Sequence, residues 1–383
     1  MPIVSRFGKP ALSMVFACGI VWNVALEAQP NGSQGYVWNL PKGFPKPQVP
    51  ADNPMTAAKV ELGRHLFYDT RMSVNSRASC ATCHKQELAF TDGRPVSAGA
   101  TGEKHPRGAM SLVNVAYNAV LTWSNPQMKE LERQALVPMF GEHPIELGLR
   151  GGDGFLDMLR SDPRYQGLFD RAFPEPGERC TIANVTKAIA SFERSIISAR
   201  SPWDRYHYGG DDNAVSEAAK RGEVLFFNQQ LSCFRCHGGF NFSGATVSEG
   251  HAVREPEFHN TGLYNVPGAL GYPAPNLGIF EFTRDPKDVG KFKAPTLRNI
   301  ALTAPYMHDG SIATLDEVLD HYAAGGRTVQ SGLHAGVGHD NPNKDPLIGG
   351  FRLSSQDRND LIEFLKSLTD EEVLRDRRFA SPW

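Results

Sequence analysis

At 383 residues, 40 % of them hydrophobic, the chain is long enough for two domains with a core each. Its 40 basic and 42 acidic residues leave a net charge of −2 and form no basic stripe, which argues against nucleic-acid binding and leaves charge silent on other partners.

The N-terminus reads as an export signal over residues 1–28. Arg6 and Lys9 precede an apolar stretch from Ala11 to Leu26, broken only by Ser13 and Asn23, and Ala28 offers a small residue for cleavage. The run is short and interrupted for a retained anchor. A lipoprotein reading of Cys18 is disfavoured because apolar residues continue beyond it. No other stretch is long and apolar enough to span a bilayer, so the expected mature protein is not inserted in a membrane. Residues 29–54, with Pro41, Pro45, Pro47, Pro50 and Pro54, predict an extended leader on the surface rather than a core element.

A helix is expected over 55–67, then a loop, then Cys80-Ala81-Thr82-Cys83-His84. The order repeats: a helix over 214–227 precedes Cys233-Phe234-Arg235-Cys236-His237. C-x-x-C-H is the attachment pattern of c-type haem: two thiols add to the vinyl groups and the adjacent His takes one axial position. A zinc site or a redox dithiol would leave the shared His unexplained. Two haem c groups are therefore expected, in a compartment outside the bacterial cytoplasm, the periplasm. Cys180 is left as a buried thiol without a disulfide partner.

Each half closes on an amphipathic helix. Ile182, Val185, Ile189, Phe192 and Ile196 recur at spacings of three and four, as do Leu361, Phe364, Leu365 and Leu368, the latter group capped by Ser354 with Asp357 in the first turn. Strand-like alternation is nearly absent, and Gly209 to Asn213 interrupts helix between the halves. The fold class expected is all-α: two cytochrome c-like haem domains with long loops, 55–205 and 206–383, packed about a pseudo-twofold axis.

An open iron face permits peroxide or dioxygen chemistry, whereas a second protein ligand makes an electron-transfer haem. His, Met and Tyr are the candidate ligands. The run from Thr296 to Tyr322 resembles the region after the second haem of bacterial dihaem cytochrome c peroxidases and their MauG-like relatives. Ser201 to Tyr206, Pro144 to Gly148 and Leu112 to Asn118 match as well, and the similarity covers nearly all of 55–370.

The resemblance implies a peroxide-using enzyme with a reactive first haem at His84 and a second haem at His237. It places Tyr322, where ordinary peroxidases carry Met, as the second haem's distal ligand. Met307 in the preceding turn is the alternative. An oxygen donor favours oxidised iron, a thioether reduced iron. Glu146 takes the acid–base position, Trp123 the place between the haems, and Thr303 and Pro305 two carbonyl positions of an interdomain calcium. The calcium's expected Asn is Gly108 here. His105 is the candidate for capping the first haem, which the resemblance otherwise leaves open, and His143 is near enough in sequence to share its pocket. His308, His259, His251 and His65 are expected to bond propionates or backbone.

Gly102 to Arg107 and His321 to Gly326 look most like the branch associated with methanobactin operons, whose members oxidise a partner's tryptophan. The implied function is peroxide-driven formation of a high-valent dihaem state that oxidises a periplasmic partner protein. The exit tryptophan of MauG-like enzymes is Leu231 here, so a different exit route is expected. The competing readings are a peroxidase fed by a small cytochrome c or cupredoxin, and a pure electron-transfer cytochrome.

Overall fold

The computed structural model describes residues 35–151, 153–253, 255–268 and 270–383, so the export signal and Cys18 lie outside the described residues. Among them the chain is mostly helix and loop. Its strands are two-residue pieces: Phe258–His259 pairs antiparallel with Phe292–Lys293, and Thr328–Val329 with Gly336–Val337. No helix among the described residues is long and apolar enough to cross a membrane.

The expected helices are present, with ends fixed by their caps. Thr56 accepts from Lys59 N and starts Ala57–Tyr68. Thr181 accepts from Asn184 N and starts Ile182–Ser195. Ser216 starts Glu217–Phe226, two to three residues later than the apolar pattern suggests, because the Asp211–Ala214 turn holds the preceding residues. Ser354 and Asp357 form a reciprocal capping box on Ser355–Ser367.

The same helix crossing recurs in each half. Ala57–Tyr68 packs on Ile182–Ser195, and Glu217–Phe226 on Ser355–Ser367. A Cβ on Gly63 would lie 1.9 Å from Ala188 O and 2.9 Å from Phe192 Cβ. One on Gly222 would lie 1.9 Å from Asp360 O and 2.8 Å from Phe364 Cβ. These are backbone approaches that no rotamer change relieves. Helix propensity favours Ala over Gly by about 1 kcal/mol, but overpacking of this kind opposes it by about 1–3 kcal/mol or more. Gly222→Ala is therefore expected to lower the urea midpoint of unfolding; an unchanged midpoint would show that the crossing can relax.

A second internal repeat follows the haem motifs. Asn114 and Asn299 both adopt left-handed backbone (φ 58° and 60°). Asn114 N donates to Ile196 O and its Oδ1 accepts from Ser198 N (2.7 Å). Asn299 N donates to Leu368 O and its Oδ1 accepts from Asp370 N (2.8 Å). Each Asn thus clamps the chain leaving the closing helix of its own half.

Two placements depart from the sequence expectations. Phe44, in the Pro-rich leader, is a core residue: it is 6 % exposed and packs edge-on against Tyr117, Tyr208 and Phe240. Asn53 is fully buried and donates to Glu132 Oε1 (2.7 Å) and Lys187 O (3.0 Å). The leader supplies apolar and hydrogen-bonding groups that the body lacks. The segment from Val373 to Ala380 packs on the N-terminal half: Val373 and Phe379 join Phe67, Phe90 and Phe192, and Gln86 donates to Val373 O and Asp376 O. Cys180 is buried, with no disulfide.

Candidate functional site

Both C-x-x-C-H segments form a single helical turn, Cys80–Cys83 and Cys233–Arg235, followed by a tight loop that turns back on the His. In the first, Ala89 and Phe90 have positive φ (52° and 60°), which brings Phe90 O to 2.9 Å from His84 Nδ1. In the second, Phe242 has φ 49°, and His237 Nδ1 lies 3.1 Å from Pro295 O and 3.3 Å from Phe242 O. Such backbone is costly for an aromatic residue. Its recurrence after both motifs marks a shared purpose: a carbonyl fixes the proton on Nδ1 and leaves Nε2 as the free donor atom. Burial lowers both imidazole pKa values, His237 to about 4, so each ring is held neutral, as an iron ligand must be. The donor set thus fits two haem c groups.

A cavity of about 450 Å³ opens beside the second motif, within the range of cofactor sites. Cys233, Cys236, His237, Leu231, Met307 and Tyr322 line it. Tyr322 comes from the helix Leu315–Ala323, begun by a Thr314–Glu317 capping box. Its hydroxyl has no hydrogen-bond partner among the described residues, and burial raises its pKa. Met307 reaches the cavity from the turn, at φ 70°. Both ligand candidates therefore face the cavity that contains His237. His308 also lines it, stacked on Phe292 (3.8 Å between centroids), and its buried Nε2 is unpartnered. His259 is held by Asp345 at 2.6 Å. His65 lies against its own helix, 2.9 Å from Glu61 O, and His251 is exposed.

Glu146 is positioned by an unusually close contact. The loop Ser97–His105 doubles back through Gly102, and Ala100 N donates to Glu146 O (2.6 Å). A Cβ on Gly99 would lie 1.8 Å from Ile145 O, so only Gly fits there. Burial pushes the Glu146 carboxyl up to about 7. The same loop brings His105 Nε2 to 3.8 Å from Glu146 Oε1, and burial, with Arg107 nearby, lowers the His105 pKa. His143 is exposed, outside this contact.

A smaller cavity of about 80 Å³ joins the halves, lined by Thr91 to Arg94, Gly108 to Ser111, Trp123, Lys293 and Thr303 to Met307. Trp123 lines both cavities, and its indole N–H donates to Gly108 O (3.0 Å). Thr303, Pro305 and Gly108 do meet here. Gly108 brings no side-chain oxygen, however, and Thr303 Oγ1 donates to Ile300 O (3.2 Å). That is a thin set for a calcium ion, which takes six to eight oxygens, and no step is derived through one.

The sequence reading did not single out Lys293 or the pair Arg298–Asp204. Lys293 sits in a Gly-Lys-Phe-Lys run without motif. Asp204 lies inside the matched Ser201–Tyr206 segment, and its capping role was the only signal available.

Residues 57–213 match the family model described as di-haem cytochrome c peroxidase. The chain is 34 % identical to cytochrome-c peroxidase IdrP1 of Denitromonas iodatirespirans over 86 % of each chain. It is 31 % identical to methylamine utilization protein MauG of Methylorubrum extorquens, over 91 % of this chain and 89 % of that one. A crystal structure of a MauG-like protein associated with microbial copper homeostasis superposes with a TM-score of 0.88 at 47 % identity, covering 91 % of this chain and 99 % of that one. The chain is thus a haem oxidoreductase that belongs to the di-haem cytochrome c peroxidase family, with MauG among its relatives, a membership that implies two haem c groups.

Proposed function

We propose that the protein works in the periplasm as two haem domains, 55–205 and 206–383, and uses hydrogen peroxide to oxidise a side chain of a partner protein, a tryptophan in the first instance. The observation that carries this reading is Tyr322, a phenol without a hydrogen-bond partner in the cavity of His237. An oxygen donor there favours oxidised iron, which suits storage of oxidising equivalents better than receipt of electrons from a small cytochrome.

His84 and His237 hold the two irons through Nε2, with Cys80, Cys83, Cys233 and Cys236 as the thioether anchors. The haems, when bound, would supply the two electrons for O–O cleavage and hold the oxygen that stays behind. Glu146 accepts the proton of one peroxide oxygen and delivers it to the other, which would leave as water. Trp123, in the walls of both cavities, carries charge between them.

The test is a stoichiometric peroxide pulse on the fully oxidised protein, followed by EPR, Mössbauer and near-infrared spectra. A long-lived oxidised state without prior reduction supports the proposal. Rapid turnover of reduced cytochrome c that first requires half-reduction overturns it in favour of a detoxifying peroxidase. Tyr322→His is expected to keep both covalent haems and lose the peroxide-only state; an unchanged low-spin spectrum would remove Tyr322 as a ligand.

A further inference from the structure

Lys293 is 2 % exposed, and its Nζ donates to a single acceptor, Val120 O at 2.9 Å. It lines both cavities. Its backbone is locked in place: Lys293 N donates to Trp123 O (2.9 Å), and the residue pairs with Phe258 in the short antiparallel ladder. An ammonium has three protons to donate, so two remain unused.

The other cationic side chains of these walls are accounted for. Arg298 is paired with Asp204 (2.8 Å), His259 with Asp345 (2.6 Å), and Arg94 is exposed to solvent. Asp92, the carboxylate in the smaller cavity, is engaged by Ser97 Oγ and Arg94 N. No carboxylate among the described residues lies within 4.0 Å of Lys293 Nζ. A buried, uncompensated ammonium is strongly unfavourable unless an anion meets it, and burial alone already drags this amine down to about 7.

We infer that Lys293 is the counter-cation of the propionates of the haem held by His237 and raises its reduction potential. The only anionic parts of a haem c are its two propionate carboxylates, and the cavity that contains His237, Cys233 and Cys236 presents this ammonium. Lys293 is a positioning residue: it touches cofactor carboxylates, not the reacting atoms. A fixed positive charge favours the added electron of reduced iron, so its loss must lower the potential. This inference rests on the haem placement proposed above.

The experiment is a spectroelectrochemical titration of the full, haem-loaded protein and three variants, with covalent haem counted first as the pyridine haemochrome. Lys293→Met removes charge and donor, Lys293→Gln keeps a donor without charge, and Lys293→Arg keeps the charge. Met and Gln are expected to lower the midpoint potential of the His237 haem, cutting its ferrous-to-ferric ratio at the wild-type midpoint by about tenfold or more, while Arg stays close to wild type. If Met fails to load haem, the Gln and Arg pair decides. A wild-type potential at that haem in Gln overturns the inference and leaves Lys293 as an internally solvated amine. Fewer than two covalent haems in the wild-type protein would overturn the haem placement as well, whereas two haems with an unmoved potential at the His237 haem overturn this inference alone.

Discussion

Glu146→Gln is expected to slow the reaction of the oxidised protein with hydrogen peroxide by about 10²–10⁴-fold, the usual contribution of a positioned acid–base group. The amide keeps the size of the carboxyl and its place against the Ser97–His105 loop, so covalent haem should be unchanged, as should the unfolding midpoint in acid, where the wild-type carboxyl is protonated in folded and unfolded chains alike. What it loses is the ability to take a proton and give it back. Burial holds the carboxyl at about 7, and the ionised form is the one that accepts. The wild-type rate should therefore rise with pH up to about 7 and then level, while the variant should be flat and low. For stability the sign is opposite. A carboxyl held above its ordinary value favours its protonated form in the fold, so its contribution is fullest in acid and is lost as pH climbs towards 7. Stopped-flow absorbance at the haem band, as a function of pH, measures the rate; an unaltered rate in Glu146→Gln would remove the residue from the chemistry. His105→Ala serves as a neighbouring control, since it vacates the 3.8 Å contact without touching the carboxyl.

Arg298→Met should destabilise the fold by about 3–5 kcal/mol, as expected when one partner of a buried ion pair is removed. The Arg298 side chain is fully buried. It meets Asp204 through both Nη atoms at 2.8 and 2.9 Å and donates from Nε to Phe240 O at 2.9 Å. Its guanidinium also lies over the Phe44 ring, 5.1 Å from the centroid. Without it, Asp204 is left as a buried carboxylate, supported only by Ser201. The double variant Asp204→Asn with Arg298→Met should recover part of the loss, because no unpaired charge remains. Urea unfolding of the set, followed by circular dichroism, reads the result. A single-variant loss below about 1 kcal/mol, the scale of a surface pair, would show that the pair is not holding the leader, the Phe240 loop and the Pro202–His207 helix together.

What was legible in the sequence is what is local. The two C-x-x-C-H segments, the helix that precedes each and the Ser354 cap are patterns of neighbouring residues, and each reappears in the structure. Tyr322 could be named because a run of 27 residues, Thr296 to Tyr322, resembles a known one; its free hydroxyl in the cavity of His237 required coordinates. Groups whose meaning lies in distant contacts were not legible. Phe44 sits among five prolines and reads as surface, yet its ring completes a cluster with Tyr117, Tyr208 and Phe240. Lys293 has no local signature, because a buried amine without a carboxylate beside it is defined by what distant segments fail to bring to it. The Asn114 and Asn299 clamps repeat each other, but their sequence surroundings share little beyond a Leu two residues before and an Ala two residues after.

The segment that returns from the second half to the first ties the last residues of the chain to the first helix. Arg64 donates to Ala380 O and Tyr68 to Phe379 O, contacts that span more than 300 residues of chain. Contacts of such separation require loop closure before they reward it, so they slow folding. Until residues 373–380 return, Phe67, Phe90 and Phe192 lack the cover of Val373 and Phe379, so loss of those last residues would expose an aromatic cluster of the first half rather than fray an independent tail.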